Sequence, residues 1–198
     1  MNLLLDKLPE HVEINDKMVA INSDFRTSIR FELLIQDETI LSDQKVAKAL
    51  KLYYPVIPND IKSAIEQMLW FYRCGKKEKK LEMGVGGGQP AYSFSIDDSY
   101  FYAAFLDQYG IDLNTAEDLH WWKFKALFDG LKPDNRIVEI MGYRTMYLSK
   151  DMSGEQRRFY QEMKRIYGLG TIGYAEDVST YERRMKKYVD YRFQQIKG

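Results

Sequence analysis

The sequence has almost none of the residues that build disulfides and metal sites. It contains one cysteine, Cys74, and two histidines, His11 and His120. A single cysteine cannot form an internal disulfide, and neither histidine has a cysteine or a second histidine at the spacing of a zinc site. We therefore expect no disulfide framework, no metal and no bound cofactor.

Long apolar runs are absent as well. The first residues, 1–11, reach Pro9 without the apolar stretch of a signal peptide. No run approaches the roughly 18 apolar residues that a membrane-spanning helix requires. The sequence therefore predicts an intracellular protein that does not insert into a membrane.

Charge of one sign is not in excess, since 29 basic residues balance 29 acidic ones. No overall field would draw the chain to nucleic acid. The charges are uneven along the chain, because residues 154–198 hold 10 Lys/Arg and 6 Asp/Glu while residues 92–153 hold 6 and 10. Aromatic residues beside basic ones can bind single-stranded nucleic acid. The many acidic residues argue against that function, and we expect no nucleic-acid partner.

The candidate catalytic residues have simpler explanations. His120 stands at the start of a predicted helix, where an imidazole more often packs or bonds locally. Asp97 and Asp98 are interpreted as a helix cap and a first-turn charge, which the helix dipole favours. We therefore expect no enzymatic activity.

Hydrophobic periodicity predicts an all-α fold with a minor N-terminal β-hairpin. Val12 and Ile14 alternate with polar residues before Asn15–Asp16, which is typical of a hairpin turn. The clearest helical pattern follows Pro58, with apolar residues at i, i+3, i+4, i+7 and i+8. Its members are Ile61, Ala64, Ile65, Met68 and Leu69. We also expect an extended segment at Tyr92–Ile96 and a basic helix after Ser153 that includes Phe159, Met163, Ile166 and Tyr167.

A charged, glycine-rich stretch divides the chain. Residues 76–91 hold four lysines and four glycines and end near Pro90. The GVGGG run inside it does not follow a strand or precede a helix, as a phosphate-binding loop would. The sequence therefore predicts a flexible linker at 76–91 between two helical modules, 1–75 and 92–198.

The segment LHWWKFKALF, residues 119–128, is apolar on two faces of a predicted helix. Leu119, Trp122 and Ala126 lie on one face, and Trp121 and Phe124 lie on or near another. Such a helix is either buried in the middle of a domain, or packs one face on the core and offers the other to a partner. We predict that Trp122 is a core residue and that Trp121 is closer to a binding surface.

A last helix is predicted at about 175–195. Its apolar residues have the 3-and-4 spacing of a narrow seam, which suits pairing with one other helix, either in the same chain or in a second copy. We expect a homo-oligomer. The candidate partner-binding residues are Trp121, Phe124, Phe128, Tyr181, Met185 and Tyr188.

Five stretches of the chain together resemble a known family. They are LPEHVEIND…INSDFRTSIRFELLIQD (8–37), AIEQMLWFYRCGKK (64–77), YSFSIDDSYFYAAFLDQYGIDL (92–113), LHWWKFKALFDGL (119–131) and IMGYRTMYLSKDMSGEQRRFYQEMKRIYGL (140–169). The family is the small phage protein family often labelled gene product fifteen. The HWWKF block and the YxFxxDxxYxYAAF block are features of this family, and the last thirty residues are not covered.

The resemblance implies a role in phage tail assembly. Members are encoded in siphophage tail clusters, and in prophages of Gram-positive bacteria, just before the tape measure protein. Proteins at this position resemble tail assembly chaperones, which keep the long helical tape measure protein soluble, help to recruit tail tube subunits and are absent from the finished virion. The resemblance thus implies a chaperone of the host cytoplasm whose partners are the tape measure protein and the major tail tube protein. The alternative is a structural tail component or tail completion protein that stays in the virion. The resemblance supplies no catalytic or ligand-binding residues.

Overall fold

The computed structural model describes residues 2–76 and 90–169. Within these ranges the chain forms a two-stranded hairpin and seven helices. The elements are β1 (His11–Ile14), β2 (Lys17–Ala20), α1 (Phe25–Gln36), α2 (Ser42–Tyr53), α3 (Ile61–Tyr72), α4 (Asp98–Tyr109), α5 (Trp121–Asp129), α6 (Arg136–Thr145) and α7 (Gly154–Tyr167). The prediction of a mainly helical fold with a minor N-terminal hairpin is confirmed.

The hairpin forms where the sequence predicts it. Strands β1 and β2 are antiparallel, with Ile14 opposite Lys17. Asn15 and Asp16 form the turn with φ angles of 50° and 59°, a left-handed conformation that Asn and Asp adopt more readily than most residues. Because side chains of a strand alternate between faces, Val12 and Ile14 are buried while their neighbours in β1 are exposed.

Helix α3 follows from its local sequence. At its start the Asp60 carboxylate accepts the backbone N–H of Ser63 at 3.1 Å, which satisfies a donor that has no helical partner. Its apolar stripe faces inward, and the buried residues are Ala64, Ile65, Met68, Leu69 and Phe71. Four of these five belong to the predicted apolar pattern. Helix α1 begins in the same way, because Asp24 accepts the backbone N–H of Arg26.

The described residues form two compact units. The first contains residues 2–76 and 118–125, and the second contains residues 90–117 and 126–169. These units differ from the predicted modules 1–75 and 92–198 in one segment, because Asp118–Lys125 belongs with the N-terminal elements. Residues 77–89 of the predicted linker lie outside the described residues, so the linker stays a prediction.

Residues 93–97 form a turn and not the extended segment expected at Tyr92–Ile96. The backbone N–H groups of Ile96 and Asp97 both bond to the carbonyl oxygen of Ser93. The Asp97 carboxylate in turn accepts the N–H of Ser93 at 2.8 Å. The turn places the Asp97 side chain in the interior of the second unit, where it is buried. Tyr92 and Phe94 both pack on Phe101 of α4, with ring centroids 5.5 and 4.9 Å away, so their alternation with serine does not mark a strand.

Candidate partner-binding surface and the aromatic core

Trp121, the first candidate, is buried and not exposed. Its side chain is 1% exposed, and its ring stacks on that of Tyr72 with centroids 5.6 Å apart. Its indole N–H donates to the carbonyl oxygen of Tyr72 at 2.7 Å. That carbonyl lies at the end of α3, where no helical N–H can reach it, so the indole supplies the missing donor. The expectation that Trp121 lies at a surface is wrong, because periodicity cannot reveal a bond to a distant helix end.

Trp122 is a core residue, as predicted. It is 2% exposed, and its indole N–H donates to the carbonyl oxygen of Phe71 at 2.7 Å. Its ring also meets Trp70 edge to face, with centroids 5.4 Å apart. Gly75 passes so close that a Cβ atom there would lie 2.9 Å from the Trp122 ring. We call Phe71, Tyr72, Trp121 and Trp122 the aromatic junction.

Phe124 and Phe128, the next two candidates, are also buried. Phe124 stacks on Phe25 in the first unit, with ring centroids 5.0 Å apart. Phe128 belongs to the second unit, where its ring lies 5.0 Å from Phe101 and 5.2 Å from Tyr92. Both side chains therefore pack within their own unit and present no surface.

The other three candidates, Tyr181, Met185 and Tyr188, lie outside the described residues. Their part in partner binding stays a prediction.

A carboxyl group is buried against the aromatic junction. Glu32 of α1 is 4% exposed, and the hydroxyl of Tyr72 donates to its Oε1 at 2.7 Å. Burial disfavours the charged form and raises the pKa of Glu32 from 4.5 to about 7, while the Tyr72 bond and the charge of Lys125 act in the opposite direction. Glu32 is therefore half ionised near neutral pH.

His120 joins the start of α5 to the N-terminal segment. Its Nδ1 accepts the backbone N–H of Trp122 at 3.0 Å. The proton of the neutral ring is therefore on Nε2, which donates to the carbonyl oxygen of Pro9 at 3.0 Å. Burial lowers the pKa of His120, against the smaller effects of the Pro9 bond and the charge of Glu10. Burial and the bond accepted by Nδ1 favour the neutral ring, and the role of His120 is local hydrogen bonding.

An ion pair is buried in the second unit. The guanidinium of Arg144 donates two bonds to the Asp97 carboxylate, at 2.6 and 2.9 Å. The same group donates to the carbonyl oxygens of Ala91 at 3.1 Å and Tyr167 at 2.6 Å. Asp97 was predicted to cap α4, and it holds the N-cap position, but its side chain makes no capping bond. The pair instead ties together the turn before α4, the end of α6 and the end of α7.

Helix α7 exposes apolar side chains along one edge. None of its residues is buried, and Phe159 is 50% and Ile166 51% exposed. Seven residues make nearly two helical turns, so these two side chains lie on one side of the helix. Tyr143 of α6 borders the same edge, with its ring 6.1 Å from that of Phe159. We call Tyr143, Phe159 and Ile166 the α7 edge.

The exposure of the α7 edge is not the result of a poorly formed helix. Ser153 and Gln156 form a reciprocal capping box at its start. Near its other end, Lys164 donates from Nζ to the carbonyl oxygen of Arg144 at 2.7 Å, and the ring of Tyr167 stacks on that of Tyr143. The helix is thus anchored on one side and leaves apolar surface on another. The sequence predicts the helix but not which of its apolar residues its own unit covers.

The first unit also contains an open cleft of about 660 Å³, beside β2 and the start of α1. Its lining includes Glu10, Asp24, Arg26 and Arg30. Arg26 is paired with Asp24 at 3.1 Å. The charges of the wall are therefore mixed, and they select no class of ligand.

In residues 2–76 and 90–169, no group of three or more His, Cys, Asp or Glu side chains is placed to hold a metal ion. Over the same ranges, no helix is long and apolar enough to cross a membrane.

The described fold and its surface define a mainly helical protein with an aromatic core and an exposed apolar edge on one helix. Residues 4–169 match a family model described as Bacteriophage Gp15 protein. The match covers most of the 198 residues, and the chain belongs to this phage protein family. No curated protein matches the chain, and no solved structure does.

Proposed function

We propose that this protein is a phage tail assembly chaperone that binds the tape measure protein and keeps it soluble in the host cytoplasm. Membership of a phage family supports a role in the phage life cycle. The resemblance of the sequence to this family adds the position of such genes beside the tape measure gene. A second partner in this proposal is the major tail tube protein, and the chaperone leaves before the virion is complete.

The observation that supports a binding role is the α7 edge. A chaperone for a long helical client needs apolar surface that a client helix can cover, and Phe159 and Ile166 offer it on a well-anchored helix. Aromatic side chains at the edge, such as Tyr143, are enriched among residues that dominate binding energy. Burying exposed side chains of this size contributes roughly 25 cal/mol for each Å² of apolar surface removed from water.

The experiment is co-expression with the tape measure protein of the same phage. We expect the soluble fraction of the tape measure protein to rise and the two proteins to co-purify. Equal solubility with and without co-expression, together with no co-purification, would show that the protein is not its chaperone.

The α7 edge is tested by the double variant Phe159→Ser/Ile166→Ser. It should keep the melting temperature of the parent and lose most co-purification. The matched control is Leu106→Ser on α4, which replaces another exposed apolar side chain of the same unit. Equal loss in the control would mean that general surface apolarity, and not this edge, is responsible.

Mass spectrometry of purified virions separates the proposal from its alternative. A chaperone is absent from the particle, whereas a structural tail component or a tail completion protein is present in it at a fixed copy number.

A further inference from the structure

The segment Asp118–Lys125 covers the end of α3 in the first unit. Two backbone bonds hold it to the start of α1, one from the N–H of Trp121 to the carbonyl oxygen of Ser23 at 2.8 Å, and one from the N–H of Phe25 to that of Leu119 at 2.9 Å. The two indole bonds of the aromatic junction hold it to α3. When these four bonds are formed, the segment is closed over the end of α3. Each of the four N–H groups can be followed separately.

Titratable groups lie on both sides of this contact. Beneath the segment, Glu32 is in contact with Tyr72, whose ring stacks on Trp121. Within the segment, His120 accepts a bond that only its neutral ring can accept. We propose that Asp118–Lys125 is a proton-linked cover over the end of α3, which opens more often in alkali because of Glu32 and in acid because of His120.

The groups around Glu32 explain why alkali favours the open state. Those that face it are Tyr72 from α3, Tyr53 from α2 and Lys125 from α5. Burial raises the pKa of Tyr53 well above its ordinary value, so it stays neutral. Lys125 is the charged group among these three, and it does not offset burial, because the pKa of Glu32 is still raised. Ionised Glu32 is therefore better solvated when the cover opens and water enters.

Acid also favours the open state, but it acts through His120. The pKa of His120 is lowered in the closed state, and the charged group that faces it is Glu10. Protonation removes the Nδ1 acceptor that binds the Trp122 N–H. Acid therefore favours the open state through His120, and alkali favours it through Glu32. Because the ordinary pKa values are 4.5 for Glu32 and 6.5 for His120, the two effects oppose each other in the range between them.

The expected size follows from proton linkage. If the pKa of Glu32 is about 7 when closed and 4.5 when open, Glu32 alone raises the opening equilibrium roughly tenfold between pH 6 and pH 8. His120, whose pKa is lowered from 6.5 in the closed state, opposes this rise by up to about fourfold. The probe is hydrogen exchange by NMR of the two indole N–H groups and of the Trp121 and Phe25 amides in the full chain. Their protection, corrected for intrinsic exchange, should fall by about two- to tenfold, with opening free energies below that of global unfolding.

Two variants test the assignment to Glu32. Glu32→Gln should abolish the fall in protection between pH 6 and pH 8 and leave only the opposite effect of His120. The matched control Glu66→Gln, an exposed glutamate of α3, should behave as the parent. Tyr72→Phe removes a bond that lowers the pKa of Glu32, so the midpoint should move to higher pH.

Three results would overturn the proposal. The first is a pH-independent protection in the parent chain, and the second is an unchanged pH dependence in Glu32→Gln. The third is protection of the cover equal to that of global unfolding, since the segment would then not open separately.

Discussion

The buried pair of Asp97 and Arg144 gives the sharpest prediction about stability. Both side chains are almost fully buried, with 1% and 3% of their side-chain surface exposed. Removing one partner leaves the other charge in a low-dielectric site with too few partners, which costs about 3–5 kcal/mol. A domain is typically stable by about 5–15 kcal/mol. Asp97→Ala or Arg144→Met should therefore remove a large part of the stability of the second unit.

The assay is a double-mutant cycle by urea denaturation, followed by circular dichroism. Arg144→Met leaves Asp97 with the Ser93 N–H as its partner, and Asp97→Ala leaves Arg144 with the two carbonyl oxygens of Ala91 and Tyr167. Each single variant should be strongly destabilised. The double variant should lose about 2–3 kcal/mol less than the sum, because it leaves no unpaired charge.

The control is the exposed pair of Arg165 and Glu162, with side chains 73% and 49% exposed. Replacing either partner should change stability by an amount too small to measure, since water solvates the remaining charge. Additive losses at Asp97 and Arg144, or single losses as small as those of the control, would refute the argument that burial makes this pair strong.

Three further predictions concern the first unit. Trp122→Ala should cost about 3–5 kcal/mol, measured as a lower denaturation midpoint, because it empties a buried site and removes the indole bond to the Phe71 carbonyl, which keeps the Cys74 N–H as its other donor. Gly75→Ala should destabilise the chain by about 1–3 kcal/mol, because φ is +72° and the new Cβ would meet Trp122. The control Gly142→Ala has open space around it and should be neutral or stabilising by up to about 1 kcal/mol. The third prediction concerns Glu32, whose pKa is about 7 in the folded chain against an ordinary value of 4.5. The parent chain therefore loses stability as pH rises through this range. Glu32→Gln should be more stable than the parent by about 3 kcal/mol at pH 8 and should show no gain at pH 4.

The parts of the fold that depend on neighbours in sequence could be predicted. The hairpin turn at Asn15–Asp16 needs two residues that tolerate positive φ, and those residues are visible in the sequence. The buried stripe of α3 needs only a helical period and a capping aspartate at its start. Local conformation and local patterning therefore identify these elements without knowledge of the rest of the chain.

The parts that depend on distant partners could not be predicted. Asp97 looks like a helix cap, and nothing near it in the sequence shows that Arg144, 47 residues away, binds it. In the same way, the separation of 49 positions between Tyr72 and Trp121 hides the bond that places Asp118–Lys125 in the first unit. Segment composition can suggest a linker at the glycine-rich stretch, which stays a prediction, but membership of a unit is decided by which side chains meet in space.

The two-faced helix shows why aromatic content alone does not locate a binding site. Its large apolar side chains are buried on both faces, and only Ala126 of the predicted faces is exposed. The N-terminal half packs in the first unit, and Phe128 packs in the second. Trp121→Ala should therefore lower the melting temperature about as much as Trp122→Ala, and any loss of tape measure binding should follow the loss of folded protein. Phe159→Ser/Ile166→Ser should instead weaken tape measure binding and leave the melting temperature nearly unchanged, since these side chains are half exposed and contribute little to the core. Plotting binding against melting temperature for the variants distinguishes the two cases. If Trp121→Ala abolishes binding while the chain stays fully folded, the aromatic junction contributes to partner binding despite its burial, and the α7 edge is the wrong surface.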